Sequence, residues 1–494
     1  MRLKNHFLTV AVSAAGVSVF VQLLAFARQV LVAAYFGIER SFDTYVIVYT
    51  IATVAVFTFG AIFDSIAVPH LVRARESSSP ETARALARSI FHVSLWMGGA
   101  TSLLFLIAVP LLAPIVATGF SAEERIGLGH LAWYFLPWTL VCVPYYAAAA
   151  RHKMEWRFNR VFSAEISIVV VSIGFLLFWH DDVRMLPLAY GSGYAVGLVY
   201  LGAGIPLVHR ASDGLPPSVR PVLRNIGELF LANQTGGLTG IVDRHIQSFL
   251  AAGGIAAVNY SSQITTSLAS LLTFREIYIV PLTQKLDRAE RLERLLSGLL
   301  LVAVPLSGLI SLLAPDIVKV LLERGRFDAA ATALTADVLR IGALSLVTAS
   351  VMTPLARMFQ ITDRIYYTHI MYLAVAVSLA IFGYLFVFVL GWGVRGVALM
   401  QLTSGVVSAI LTSYLVGRCG IHLRWRSIVG RFSLAAVVSV AACLAALAAT
   451  SALDNVWGRL LVGGAIYGLI VLVCYFLARA QLSGIVFGSV STEI

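Results

Sequence analysis

The chain is built almost entirely of long apolar runs, and about 20 such residues are what an α-helix needs to cross the hydrocarbon core of a bilayer. The runs lie at about 8–36, 43–70, 86–117, 126–150, 161–179, 187–208, 226–252, 258–283, 294–314, 334–359, 365–390, 394–418, 428–450 and 457–479. Lipid offers no partner to a backbone N–H or C=O, so the runs are read as helices, whose hydrogen bonds are internal. Of 494 residues, 59% are apolar and 12% charged, against roughly 45–50% and 25% in soluble domains. The expected fold is an all-α polytopic membrane protein with 14 transmembrane helices. A large soluble catalytic domain is excluded.

The basic residues test this map, because cytoplasmic loops collect Lys and Arg. Of 36, the N-terminus and alternate loops hold 24, the opposite side eight, and spans four: Arg28, Arg244, Arg275 and Arg340. Both termini are therefore expected in the cytoplasm. The net charge of +11 is thus mainly a topological label, and no nucleic-acid partner is expected. Arg2 and Lys4 ahead of Ala25-Phe26-Ala27 suggest a signal peptide, but the run is too long for one and continues past Arg28. Cys142, Cys419, Cys443 and Cys474 show no CxxC spacing, so neither a disulfide framework nor a metal site is expected.

Three landmarks recur in order. Val68-Pro69 matches Val280-Pro281, Leu111-Leu112-Ala113-Pro114 matches Leu312-Leu313-Ala314-Pro315, and Pro144 before Arg151 matches Pro354 before Arg357. Six spans separate the copies, so both run in the same direction, as in the parallel repeats of secondary transporters. The expected organisation is a six-helix lobe over 1–210, a cytoplasmic linker over 211–225, a second six-helix lobe over 226–420, and a final helix pair with tail over 421–494. The substrate path then lies between the lobes.

Ionisable groups inside spans cost roughly 2.5–3.5 kcal/mol each on insertion scales, so they face a cavity or a partner. Arg28 with Gln29, and Gln22 before them, give the first span a polar stripe suited to an anionic cargo. Pairing of Arg28 with Asp43 or Asp243 to fix helix packing is the alternative. Asp243 and Arg244 sit at comparable depth in the seventh span. Asp64 stands five residues before Pro69, and Glu276, next to Arg275, five before Pro281. These equivalent positions are candidates for coupling or gating, with snorkelling or lobe-to-lobe pairing as the alternative for Arg275 and Glu276. Glu165 and Arg340 lie close enough to span ends for snorkelling. Gly391-Trp392-Gly393-Val394-Arg395-Gly396 has GxGxxG spacing without a preceding strand and is set aside as a dinucleotide site. Neither GxxxxGK[ST] nor HExxH occurs.

Phe26-Ala27-Arg28, Phe36-Gly37 and Asp43 resemble the first-helix signature of the MurJ/MviN (mouse virulence factor) family of lipid-linked glycan flippases, within the MOP exporter superfamily. Glu323-Arg324-Gly325-Arg326-Phe327, followed by Thr332, resembles that family's external ERGxF…T segment. Leu355-Ala356-Arg357-Met358-Phe359 with Asp363, and Gly393-Val394-Arg395-Gly396-Val397-Ala398, are further matches in register. The resemblance implies 14 helices in two six-helix lobes plus a final pair. It implies export of an undecaprenyl-pyrophosphate-linked sugar, typically the peptidoglycan precursor lipid II, by alternating access, with the lipid tail in a groove along the last two helices. It assigns functional positions to Arg28, Asp43 and Asp243. The chain departs from the family at Gln22, Gln29, Gln263 and the Ala55-Val56 pair, where the family carries an arginine, an acid, an arginine and an arginine pair. The family's helix 11 cation ligands are absent, since Ser378 and Phe382 stand near those places.

The sequence therefore predicts a non-enzymatic flippase of the bacterial inner membrane for lipid II or a related cell-surface or exopolysaccharide precursor. Substrate binding falls to Arg28, Gln22, Gln29, Asp43, Arg244 and Gln263, and coupling or gating to Asp64, Asp243, Arg275 and Glu276. No cofactor is expected; sodium, protons or the membrane potential would supply the drive. Expected partners are the lipid-linked glycan, membrane lipids and proteins of cell-wall or polysaccharide synthesis. A drug/cation antiporter and a non-transporting scaffold for polysaccharide synthesis are the competing readings.

Overall fold

The computed structural model describes residues 2–77, 80–203, 219–272, 288–362 and 364–477. Among them are sixteen α-helices and two π-helical stretches, and no strand. In order these are α1 (Arg2–Phe36), α2 (Arg40–Ile62), a π turn (Phe63–Ala67), α3 (Val68–Ser77), α4 (Pro80–Val116), α5 (Ala122–Met154), α6 (Phe158–Phe178), α7 (Met185–Gly202) and α8 (Val219–Gln247). They continue as α9 (Gly254–Leu272), α10 (Arg288–Leu322), α11 (Ala329–Gly342), α12 (Ser345–Ile361), α13 (Tyr366–Gly383) with a π stretch (Tyr384–Val389), α14 (Gly393–Arg418), α15 (Trp425–Thr450) and α16 (Val456–Leu477). Within the described residues, the apolar runs fall mainly on helix. Among the described residues, eight helices are long and apolar enough to cross a membrane alone, and a ninth crossing forms if α11 and α12, bent by 47°, act together. Helix α8 is less apolar because Asp243, Arg244 and His245 close it.

The chain forms two compact units, Met1–Ile255 and Ala256–Ile494. In the first, α5 packs against α4, α2 and α7, α6 lies between α1 and α7, and α8 packs on α2 and α4. Glycine sets the spacing where α7 meets its neighbours. A Cβ on Gly193 would lie 2.4 Å from the Ile168 carbonyl of α6, and one on Gly191 would lie 3.0 Å from the Trp138 nitrogen of α5. Small residues at such crossings let backbones approach closely, the usual source of helix association in lipid.

In the second unit α10 is the axis, flanked by α11, α12, α15 and α16. Pro305 interrupts it. Proline has no N–H, so the carbonyl four residues back, that of Leu301, loses its helical donor. The Tyr475 hydroxyl of α16 donates to that carbonyl at 2.8 Å. One turn away Tyr467 donates to the Pro305 carbonyl at 2.8 Å and lies 2.5 Å from Ser439 of α15. Gly308 leaves room for this pair, since a Cβ there would lie 2.3 Å from the Ser439 oxygen. At the helix end Arg459 grips Asp316, with Nε 3.0 Å from Oδ1. The last helix is thus fastened to α10 at three levels.

Two sequence motifs resolve into turns. Gly325 takes a φ of 59° and lets the chain leave α10. Phe327 is buried edge-on to Tyr260 at 5.5 Å, and Asp328 caps α11 by accepting from the Ala331 N–H at 2.8 Å. The glycines of the GxGxxG segment likewise serve the backbone, since Gly391 and Gly393 have φ of 65° and 51°.

Replacing Tyr475 with Phe leaves the Leu301 carbonyl without its donor and is expected to cost about 1–2 kcal/mol. Thermal unfolding of the purified protein in detergent checks this, with Leu472→Ala, a lipid-facing change at 69% exposure, expected to move the midpoint far less.

Candidate functional site: half-buried cations around the second helix

Helix α1 ends because Gly37 adopts a φ of 55°, a left-handed stop that glycine takes without steric cost. The turn delivers Arg40 and Asp43 to the first turn of α2. Asp43 is fully buried and accepts from the Gly253 N–H at 2.7 Å. Gly253 has a φ of 83°, and a Cβ there would lie 2.3 Å from the Ile38 carbonyl. Arg40 lies 3.7 Å from Asp43, donates from Nε to Glu124 at 2.8 Å, and stacks on Phe120 with its guanidinium carbon 3.6 Å from the ring centroid. Glu124 is held in turn by a reciprocal cap with Ser121. Nearby, the Gly119 N–H donates to Ser248 at 3.1 Å, and His245 Nδ1 lies 2.6 Å from the Ile115 carbonyl. This end of the first unit is tied by side chains from the turns after α1, α4 and α8.

Deeper in the unit are the two cations. Arg28 lies eight residues before the end of α1, about 12 Å along its axis at 1.5 Å per residue. Its guanidinium carbon is 4.1 Å from the centroid of Tyr190 on α7, and Nη1 donates a long 3.4 Å bond to Ser172 of α6. Its Nε is buried without a hydrogen-bond partner. Among the described residues Arg28 has no carboxylate partner, so the packing alternative with Asp43 or Asp243 is not what the structure contains. A guanidinium stacked on an aromatic face keeps its charge and most of its five donors, and its orientation is set in advance. Such a group binds phosphate in a planar, bidentate manner.

Arg244, near the end of α8, donates from Nε to Thr50 at 2.9 Å and from Nη1 to Gln247. Asp243 and Asp43 both act on its charge. Tyr49, hydrogen-bonded to Tyr190, also interacts with Arg28. Adjacent residues of a helix point about 100° apart, so the two cations flank α2 on different faces. Around Tyr49 lies an aromatic shell, with Trp138 stacked at 5.5 Å and Tyr190 at 5.8 Å.

Of the other residues singled out in the sequence, Gln22 and Gln29 are half-buried on α1, Asp243 is half-buried and has an interaction partner, and Gln263 is half-buried on α9 in the second unit. For Asp64 the backbone is described, inside the π turn Phe63–Ala67; π turns cluster at functional sites. Arg275, Glu276, Val280, Pro281 and Asp363 lie outside the described residues. Sequence reasoning missed Tyr190, Ser172, Thr50 and Gln247, the groups that hold the cations. None carries charge, and only a Tyr or hydroxyl within an apolar run marks them.

The second unit contains a largely apolar cavity of about 570 Å³ between α10, α12, α14 and α15, with Val304, Val347, Leu402, Phe432 and Val440 among its walls. Helix α16 does not line it.

An all-helical membrane chain with proline-broken spans and half-buried cations belongs to the architecture of multi-helix transporters. Solved structures share this fold. The fold matches "Lipid II flippase MurJ, inward closed conformation" with a TM-score of 0.76 at 18% identity, over 94% of this chain and 98% of that one. It also matches an inward-facing multidrug resistance MATE family transporter of the MOP superfamily, with a TM-score of 0.63 at 14% identity over 81% and 95%. The model of the lipid II flippase MurJ family matches residues 32–461, and the chain belongs to that family. Similar relatives include a probable lipid II flippase MurJ of Rhizobium tropici, 25% identical over all of this chain and 97% of its own length. A second, of Aquifex aeolicus, is 24% identical over 78% of each.

The Asp43 contact predicts a graded response. Asp43→Ala strands a buried N–H and is expected to cost about 1–3 kcal/mol. Asp43→Asn keeps an acceptor and loses less than half of that, as thermal unfolding of the two variants would report.

Proposed function

We propose that the protein is a flippase that carries an undecaprenyl-pyrophosphate-linked glycan from the cytoplasmic to the outer leaflet by alternating access. The observation that carries this reading is the family match across residues 32–461. Arg28 is the principal ligand of the pyrophosphate, presented by Tyr190 and Ser172, and Arg244, Gln22, Gln29 and Asp43 are further ligands in the first unit; Gln263 is the candidate ligand in the second. Residues 1–210 and 226–420 act as the two lobes, with 14 crossings and both termini in the cytoplasm of a bacterial cell. The apolar cavity of the second unit is a place for part of the lipid chain.

The cargo follows from what the lining lacks. Glutamine at 22 and 263 donates hydrogen bonds but no charge, so the head group is held by fewer charge-assisted bonds than several arginines would make. This favours a related precursor, such as an exopolysaccharide repeat unit, beside lipid II itself, and makes proteins of polysaccharide or cell-wall synthesis the natural partners. Transport needs no ATP: an inside-negative potential favours outward movement of an anion by about 2.3 kcal/mol per charge per 100 mV. Asp64, Asp243 and the Arg275-Glu276 pair are the candidates for proton or sodium coupling and for gating.

Arg28→Ala is expected to abolish outward movement of a fluorescent lipid-linked glycan in vesicles carrying an inside-negative potential. Tyr190→Phe, which keeps the aromatic face, should retain most of the rate, and Tyr190→Ala should lose most of it. Unchanged movement by Arg28→Ala removes Arg28 from the site. Movement unaffected by collapse of the potential rules out voltage drive.

A further inference from the structure

At the arginine-rich end of the first unit, the ends of α3 and α5 and the starts of α4 and α6 come together around one carboxylate. Glu155, 13% exposed, has the Nε atoms of Arg157, Arg84 and Arg151 at 3.3, 3.9 and 3.9 Å. Arg88 adds to the repulsive field on Arg151, and Arg75 donates to the Met154 carbonyl at 2.9 Å. Among the described residues Glu155 is the only carboxylate at ion-pair distance from any of the five. The cluster is therefore strongly under-neutralised. Its innermost member, Arg151, is 18% exposed and has a buried Nη1 without a hydrogen-bond partner.

A positive-inside bias explains why arginines collect on this side. It does not explain their convergence on a single acid, where mutual repulsion is costly unless an anion joins them. Trp156 supplies the second observation. It adopts a left-handed φ of 58°, which bulky residues rarely take, and it stands 69% exposed between Glu155 and Arg157 in the chain. Exposed tryptophan belongs at the headgroup level of a bilayer. The cluster occupies that level, since Arg88 precedes the apolar stretch of α4 and Arg151 directly follows Ala147–Ala150 at the end of the α5 stretch.

We propose that Arg84, Arg88, Arg151 and Arg157 form a binding site for the phosphate of an acidic phospholipid headgroup in the adjoining leaflet, with Trp156 anchored in the interface beside it. Basic pockets at the ends of spanning helices take such headgroups, and each arginine near the surface contributes about fivefold in affinity. The site stands apart from the transport reading and does not depend on it.

The test uses the full-length protein in phosphatidylcholine nanodiscs, with native mass spectrometry and thermal unfolding read against added phosphatidylglycerol or inorganic phosphate. The expected result is retention of phosphatidylglycerol with a raised unfolding midpoint, weakened about a hundredfold in Arg84→Gln/Arg151→Gln/Arg157→Gln. Glu155→Gln removes the competing anion and should bind severalfold more tightly, which checks the site without removing a ligand. Equal retention by the wild type and the triple variant, or no tightening in Glu155→Gln, overturns the site. Inorganic phosphate that reproduces the shift and displaces the lipid overturns the lipid assignment.

Discussion

A carbonyl released in the middle of a spanning helix has no water to turn to, and much of this structure answers that constraint. Pro305 releases the Leu301 carbonyl in α10, and the Tyr475 hydroxyl replaces the missing donor. The bond fixes the rotation of α16 about its own axis, and Tyr467, two turns earlier, reads the same face through the Pro305 carbonyl. Pro144 releases the Leu140 carbonyl of α5 in the same way, and there the response is close approach. A Cβ on Gly98 of α4 would lie 2.5 Å from that oxygen. Prolines that read in sequence as interruptions thus specify which helix must stand next to which.

The same constraint disperses the intramembrane charges. Arg28 goes to an aromatic face and a hydroxyl, Arg244 to a hydroxyl and an amide, and Asp43 to a backbone N–H. Arg28 is held by a hydroxyl and an aromatic face alone, whereas Asp43 also lies 3.7 Å from Arg40, and Arg244 also feels Asp243 and Asp43. Two cations neutralised by carboxylates would be closed to an anion, whereas cations oriented by Tyr190 and Thr50 stay electrostatically open. Helix α2 supplies both settings from consecutive residues, Tyr49 and Thr50, which makes it the organising element of the candidate site.

The helices were legible in the sequence because a hydrophobic run is a local property; within the described residues the apolar stretches are mainly helix. The ERGRF segment was legible through its resemblance to the family's external segment, and its structural content is a left-handed glycine, a buried Phe and a capping Asp. The partners of the charged groups were not legible. Arg28 and Ser172 are 144 residues apart, Arg244 and Thr50 are 194, and Asp43 and Gly253 are 210. No periodicity reaches across such distances. The position of α8 was hidden for a related reason. The repeat assigns its sequence to the second copy, while its packing on α2 and α4 rests on glycines, with a Cβ on Gly237 lying 2.5 Å from Val54.

The distribution of positive charge also has a direction. At the arginine-rich end of the first unit several guanidiniums crowd one carboxylate. Deeper in the same unit the cations are few and separated, and at the far end Arg40 is engaged by Asp43 and Glu124. Uncompensated positive charge is thus densest at that surface, sparser at Arg28, and largely compensated at Arg40. On the proposed flippase reading, an anion passing from Arg28 toward Arg40 would leave an open cation for a compensated one, and an external force would have to carry it. The membrane potential proposed as the drive would supply about 2.3 kcal/mol per charge per 100 mV. On the same proposal, glutamine in place of arginine at position 22 would lower the well that the head group must leave and so trade affinity for release.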